Sequence, residues 1–129
     1  MPRQTLDDPR AASVGPYSHA VWAGELLYLS GQTPIDPATR ALVAGDIGAQ
    51  TRQCLANLGA VLARAGLGLG DVVKCNVYLV DMADFAAMNA AYREAFAAPY
   101  PARTTVGVAA LPLGARVEIE LVARRPPGG

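Results

Sequence analysis

The sequence predicts an α+β domain of element order β-β-α-β-α-β-β, with two helices packed on one face of a mixed sheet. Three observations predict it: two stretches in which apolar residues recur every three or four positions, runs rich in β-branched and aromatic residues, and Gly or Pro punctuation between them. At 129 residues the chain is expected to form one domain, residues 1–129, around a single core. Hydrophobic residues make up 52% of it and charged ones 17%, which excludes a disordered chain.

The ends, residues 1–12 and 126–129, lack periodicity and are expected to be loose. In residues 20–30 the runs AVWA and LLYLS flank Gly24-Glu25, a hairpin signature. Residues 33–40, TPIDPATR, read as a surface turn, because two prolines lack N–H donors and Asp36 can bond the adjacent backbone.

Asp46 is placed to cap a helix whose stripe is Ile47, Thr51, Cys54, Leu55, Leu58, Val61, Leu62 and Ala65, with Gly66 closing it. Gln50, Arg52, Gln53, Asn57 and Arg64 form its polar side. Residues 72–80, VVKCNVYLV, read as a strand with Val73, Cys75, Val77 and Leu79 on one face and Lys74, Asn76 and Tyr78 on the other.

Asp84 is the expected cap of a second helix, with stripe Phe85, Met88, Tyr92, Ala95 and Phe96, stopped by Pro99-Tyr100-Pro101. Residues 103–109 and 116–124 read as strands joined through LPLGA in a second hairpin. Two helices cover one side of such a sheet. On the other, Tyr78, Val80 and Val122 share a face with Lys74, Asn76, Glu118 and Glu120, which predicts a homo-oligomer contact.

Composition weighs against several functions. Eleven basic and eleven acidic residues cancel, so no global positive field recruits nucleic acid or a membrane. Cys54 and Cys75, far apart and beside a single histidine, fit neither a disulfide framework nor a zinc site and read as buried thiols. No apolar leader and no run of eighteen apolar residues is present; the expectation is a soluble, cytoplasmic protein. GLGLG at residues 66–70 follows a helix and precedes a strand, the reverse of a phosphate-binding turn, and is read as a helix cap. His19 is read as a surface or interface residue.

Two features carry chemistry. Arg103 opens a strand after Pro101-Ala102, and its planar fork suits a carboxylate, although a salt bridge to a neighbouring acid uses the same geometry. In VEIEL, Glu118 and Glu120 share one face about 7 Å apart by strand rise. If that face is buried between subunits, a carboxyl there gains proton affinity and becomes a proton-transfer group; in solvent it does nothing.

The segments GPYSHAV (residues 15–21), LSGQTP (29–34), GLGDVVKCNVYLVDMADFAAMNAAY (68–92) and PARTTVGVAALPLGARVEIELVA (101–123) resemble the Rid/YjgF family of reactive-intermediate deaminases over nearly the whole chain. The resemblance implies a chorismate-mutase-like (RidA) fold assembled as a homotrimer with sites between subunits. It implies hydrolysis of 2-imino acids or their enamine tautomers, such as 2-iminobutanoate and 2-iminopropanoate, to 2-keto acids and ammonia, without metal or organic cofactor. By position, Arg103 matches the arginine that grips the substrate carboxylate, Glu118 the glutamate that positions water or moves protons, and Tyr17 and Ser30 the site tyrosine and serine. Thr105 stands where many members have cysteine, so a thiol role is lost while its backbone N–H can still meet substrate. His19 replaces a frequent glutamine. Two other classes stay open: a non-catalytic trimer holding small carboxylates or acting as a chaperone, and a ribonuclease or translation inhibitor, which zero net charge and a lone histidine support poorly.

Overall fold

The computed structural model describes residues 2–10 and 15–126. Its strands are β1 (Gln4–Leu6), β2 (Ala20–Ala23), β3 (Leu26–Gln32), β4 (Val72–Leu79), β5 (Ala102–Gly107) and β6 (Val117–Arg124); its helices are α1 (Ile47–Arg64) and α2 (Phe85–Ala95). The strands form one mixed sheet in the order β1-β2-β3-β6-β4-β5. Only β4 and β5 are parallel, joined through α2.

The first hairpin forms as predicted, turning at Gly24, whose φ is +59°. β1 is an addition at the end expected to be loose: three residues are too few to show a period, yet Gln4 to Leu6 pair with Trp22 to Ala20. Side chains pin the chain just after β1, since His19 N donates to Asp7 Oδ1 and Asp8 N donates to His19 Nδ1, each at 2.9 Å. His19 is therefore buried, 3% exposed, and not at the surface. Of the ends expected to be loose, residues 1, 11, 12 and 127–129 lie outside the described residues.

Asp46 caps α1, its carboxylate accepting from Ala49 N at 2.9 Å, and Gly66 comes after the helix at φ +75°. The predicted stripe is buried from Ile47 to Leu62; Gln50, expected on the polar side, is buried too and donates to Gly45 O at 3.4 Å. Asp36 Oδ1 accepts from Ala38 N as expected, but the turn is not wholly superficial. Pro34 and Ile35 are buried, and Asn57 of α1 donates to Ile35 O at 2.8 Å.

Three further expectations fail for identifiable reasons. A bulge between Val72 and Lys74 turns Val72 inward and leaves Val73 37% exposed. Asp84 makes no cap bond because Arg116 Nη2 donates to both of its carboxylate oxygens at 3.0 Å, while Asp81 accepts from Ala83 N one turn earlier. The second hairpin does not exist. β6 lies between β3 and β4, antiparallel to both, because Val117, Ile119, Leu121 and Ala123 are its buried face and belong at the sheet centre. The LPLGA segment turns instead through Leu113 and Gly114, at φ +62° and +74°.

The core lies between helices and sheet, where Leu58, Val61, Leu62 and Met88 meet Leu27, Val77, Leu79 and Ile119. Each such side chain contributes about 1.5–3 kcal/mol on burial. Cys54 and Cys75 are buried there as free thiols. The opposite face of the sheet is open, with Tyr28 49% exposed, and carries polar contacts such as Lys74 Nζ to Thr104 Oγ1 at 2.8 Å. Among the described residues, no helix is long and apolar enough to cross a membrane.

Candidate functional site

Sheet register divides the predicted site into two halves. Glu118 pairs with Tyr78, which places it on the open face; Arg103 pairs with Cys75, which places it on the helix side. One protomer therefore does not bring Arg103 and Glu118 together.

The open-face half is a hollow of about 340 Å³ lined by Tyr17, Ser30, Gly31, Pro112, Glu118 and Glu120. A register shift between Leu29 and Gln32 sets Ser30 and Gly31 across from β6. Ser30 Oγ donates to Ser18 O at 2.6 Å, which commits its proton and leaves its oxygen as an acceptor. Gly31 has no room for a side chain: a Cβ there would lie 2.4 Å from Glu118 Oε2. Gly31→Ala is expected to push the flexible carboxylate aside and lower activity on the order of a hundredfold by misplacement, with a near-normal melting temperature; steady-state kinetics beside a thermal melt checks both.

Burial, and then the charge of Glu120, raise the proton affinity of the Glu118 carboxyl above the ordinary glutamate value. Glu120 in turn accepts from Tyr78 Oη and, at 3.3 Å, from Asn76 Nδ2. The hydrogen bond to Glu120 is the main reason that the Tyr78 phenol is pushed up to about 12 and stays a donor.

The helix-side half is a cleft of about 230 Å³ lined by Asn89, Tyr92, Arg93, Tyr100, Pro101 and Arg103. The Arg103 guanidinium lies 4.7 Å from the Tyr92 ring centre and 5.7 Å from that of Phe85. No carboxylate among the described residues comes within 4.0 Å of it, so Arg103 does not make the salt bridge that its geometry equally allowed. Thr105 shares its side of β5, with the hydroxyl buried and unpartnered. Asn89 Oδ1 is buried without a hydrogen bond as well, and the Tyr92 hydroxyl meets the Cys75 thiol. Burial pushes the Cys75 and Cys54 thiols up, which keeps both protonated and inert.

Together the two halves offer a carboxylate fork, unsatisfied polar groups and an acid of raised proton affinity. A family model described as Endoribonuclease L-PSP matches residues 8–125. The chain belongs to this family, the Rid/YjgF family. A RutC family protein of Pyrococcus horikoshii is 52% identical over 110 residues, 85% of this chain and 87% of the relative. A protein of Capra hircus named 2-iminobutanoate/2-iminopropanoate deaminase is 45% identical over 116 residues, 90% of this chain and 85% of its own. The crystal structure of RidA from the Antarctic bacterium Psychrobacter sp. matches with a TM-score of 0.90 and 46% identity, over 95% of this chain and 100% of that one. The Rid fold is thus the one the sequence implied.

Within this Rid protein, Tyr17, Ser30 and Glu118 are brought together, and Arg103 and Thr105 are brought together, as two sets. Sequence reasoning missed Gly31 and Asn89 as site residues. Asn89 carries no local signal, but it lies three residues before Tyr92 on α2, on the flank that meets Arg103.

Proposed function

We propose that this protein hydrolyses 2-imino acids, among them 2-iminobutanoate and 2-iminopropanoate, in clefts between protomers of a homotrimer. The observation that carries the reading is Arg103, without an ion pair among the described residues, on one face of the sheet and Glu118, a carboxyl of raised proton affinity, on the other. A head-to-tail ring, in which one surface of each copy meets a different surface of the next, is the arrangement that joins two such faces. The half-apolar open face supplies the contact, and the Rid relatives named as imine deaminases support the reaction class.

In that cleft Arg103 holds the substrate carboxylate in two parallel hydrogen bonds and fixes the C2 carbon. The imine enters with its nitrogen protonated; Glu118 accepts a proton from water as the water oxygen bonds to C2, and the C=N π pair settles on nitrogen to leave an amino group. The same carboxyl then passes the proton to that nitrogen. The C–N bond breaks with its electron pair leaving on ammonia as the hydroxyl oxygen forms C=O; the hydroxyl proton passes to Glu118, which releases it to solvent as ammonia and the 2-keto acid leave.

Imines generated by an amino-acid oxidase and followed under semicarbazide competition test the reading; equal decay rates with wild type and Arg103→Ala would overturn it. Activity at acidic pH is governed by Glu118 as the base. Removing the neighbouring negative charge lowers its proton affinity, so Glu120→Gln is expected to move the acidic limb of the kcat/KM profile to lower pH. An unmoved limb would exclude Glu118 as the group titrating there. The name of the matched family model favours RNA as a second substrate to examine; binding to RNA that survives physiological salt would promote that reading.

A further inference from the structure

The helix-side cleft holds one cation more than a monocarboxylate needs. Asn89, Tyr92 and Arg93 occupy positions i, i+3 and i+4 of α2 and share the flank that faces β5. Arg103 stacks on Tyr92, and the next residue, Arg93, lines the same cleft of about 230 Å³. No acidic side chain of the same protomer lines it.

Arg10, Arg52 and Arg116 pair with Asp8, Glu94 and Asp84, whereas Arg93 and Arg103, like Arg3, Arg40, Arg64, Arg124 and Arg125, have no acid within 4.0 Å among the described residues; what sets the first two apart is that they line one cleft. Glu94, beside Arg93 in sequence, turns the other way and meets Arg52 of α1 at 3.4 Å. A cation in the last turn of a helix complements its free carbonyl groups, which accounts for an arginine at position 93 without a ligand. It does not account for two arginines lining one cleft beside buried, unpartnered Asn89 Oδ1 and Thr105 Oγ1.

We propose that this cleft selects 2-imino acids with a second carboxylate on the side chain, Arg103 taking the carboxylate next to the imine carbon and Arg93 the distal one. The inference rests on the imine-hydrolase reading and names its substrate class. Arg93 is then the specificity-determining residue. A substrate with an apolar side chain leaves its charge uncompensated, and a 2-imino dicarboxylate neutralises both guanidinium groups.

The test compares imines formed in situ from glutamate and from 2-aminobutanoate, and calorimetric binding of 2-oxoglutarate and 2-oxobutanoate, in wild type, Arg93→Gln and Arg93→Lys. Wild type is expected to favour the dicarboxylate about five- to tenfold in both kcat/KM and affinity, the scale of a partly exposed charged pair. Arg93→Gln should erase that ratio, chiefly through KM, and Arg93→Lys should restore part of it. Equal values for the two substrates in wild type, or a ratio unchanged in Arg93→Gln, would overturn the inference while leaving imine hydrolysis standing. Loss of hydrolysis of both imines with the binding preference intact would instead sink the hydrolase reading and keep the second carboxylate site.

Discussion

Arg103→Lys is expected to lower kcat/KM for a 2-imino acid by roughly a hundredfold, the scale of losing a bidentate charged hydrogen bond. The charge is retained, so the loss isolates geometry: an ammonium is a single point donor and cannot present two parallel N–H groups to one carboxylate. It also cannot present a delocalised, weakly hydrated cation to the rings of Tyr92 and Phe85, beside which the guanidinium lies. Because Arg103 makes no ion pair within the described chain, the fold does not depend on it, and the melting temperature should stay near that of wild type. Single-turnover imine decay beside a thermal melt separates the two effects; a lysine variant that keeps full activity would remove the fork from the account.

Glu118→Gln is expected to cost about 10²- to 10⁴-fold in kcat, the contribution of a positioned proton-transfer group. The same change should not destabilise the protein at neutral pH. The Glu118 carboxyl holds its proton more tightly folded than unfolded, so its stabilising contribution is complete below the ordinary glutamate value and is lost as pH rises through the raised one. Above that raised value the wild type holds a half-buried charge beside Glu120, and the amide removes it. Melts across a pH series should show the variant at least as stable as wild type at pH 7 and losing that advantage on acidification. A variant that unfolds at pH 7 would mean that Glu118 is structural.

The sequence made the helices legible because their information is local. The stripe from Ile47 to Leu62, with Asp46 and Gly66 at its ends, needs no knowledge of the rest of the chain. The alternation of VEIEL likewise announced a strand with carboxylates on one side, and the matched segments named Tyr17, Ser30, Arg103 and Glu118. What failed depends on partners distant in sequence. Asp84 looked like a cap until Arg116, thirty-two residues away, claimed its carboxylate. The strand at residues 117–124 looked like half of a hairpin because adjacency in sequence favours it, whereas the burial of Val117, Ile119 and Leu121 drew it between β3 and β4. Period-two alternation tells which residues of one strand share a side, not how that side relates to another strand. Only the pairing of Arg103 with Cys75 and of Glu118 with Tyr78 showed the two groups on opposite faces.

That opposition makes the account depend on a second protomer, and mixed assemblies test it most directly. Arg103→Ala and Glu118→Gln, each nearly inactive alone, are to be unfolded together and refolded in equal amounts, with mixed oligomers verified by native mass spectrometry. If each site takes its arginine from one copy and its glutamate from the next, random assembly regenerates about a quarter of the intact sites, and imine hydrolysis should return to roughly that fraction of wild type. Mixed oligomers that stay at the level of the two parents would show that no site combines Arg103 of one copy with Glu118 of another.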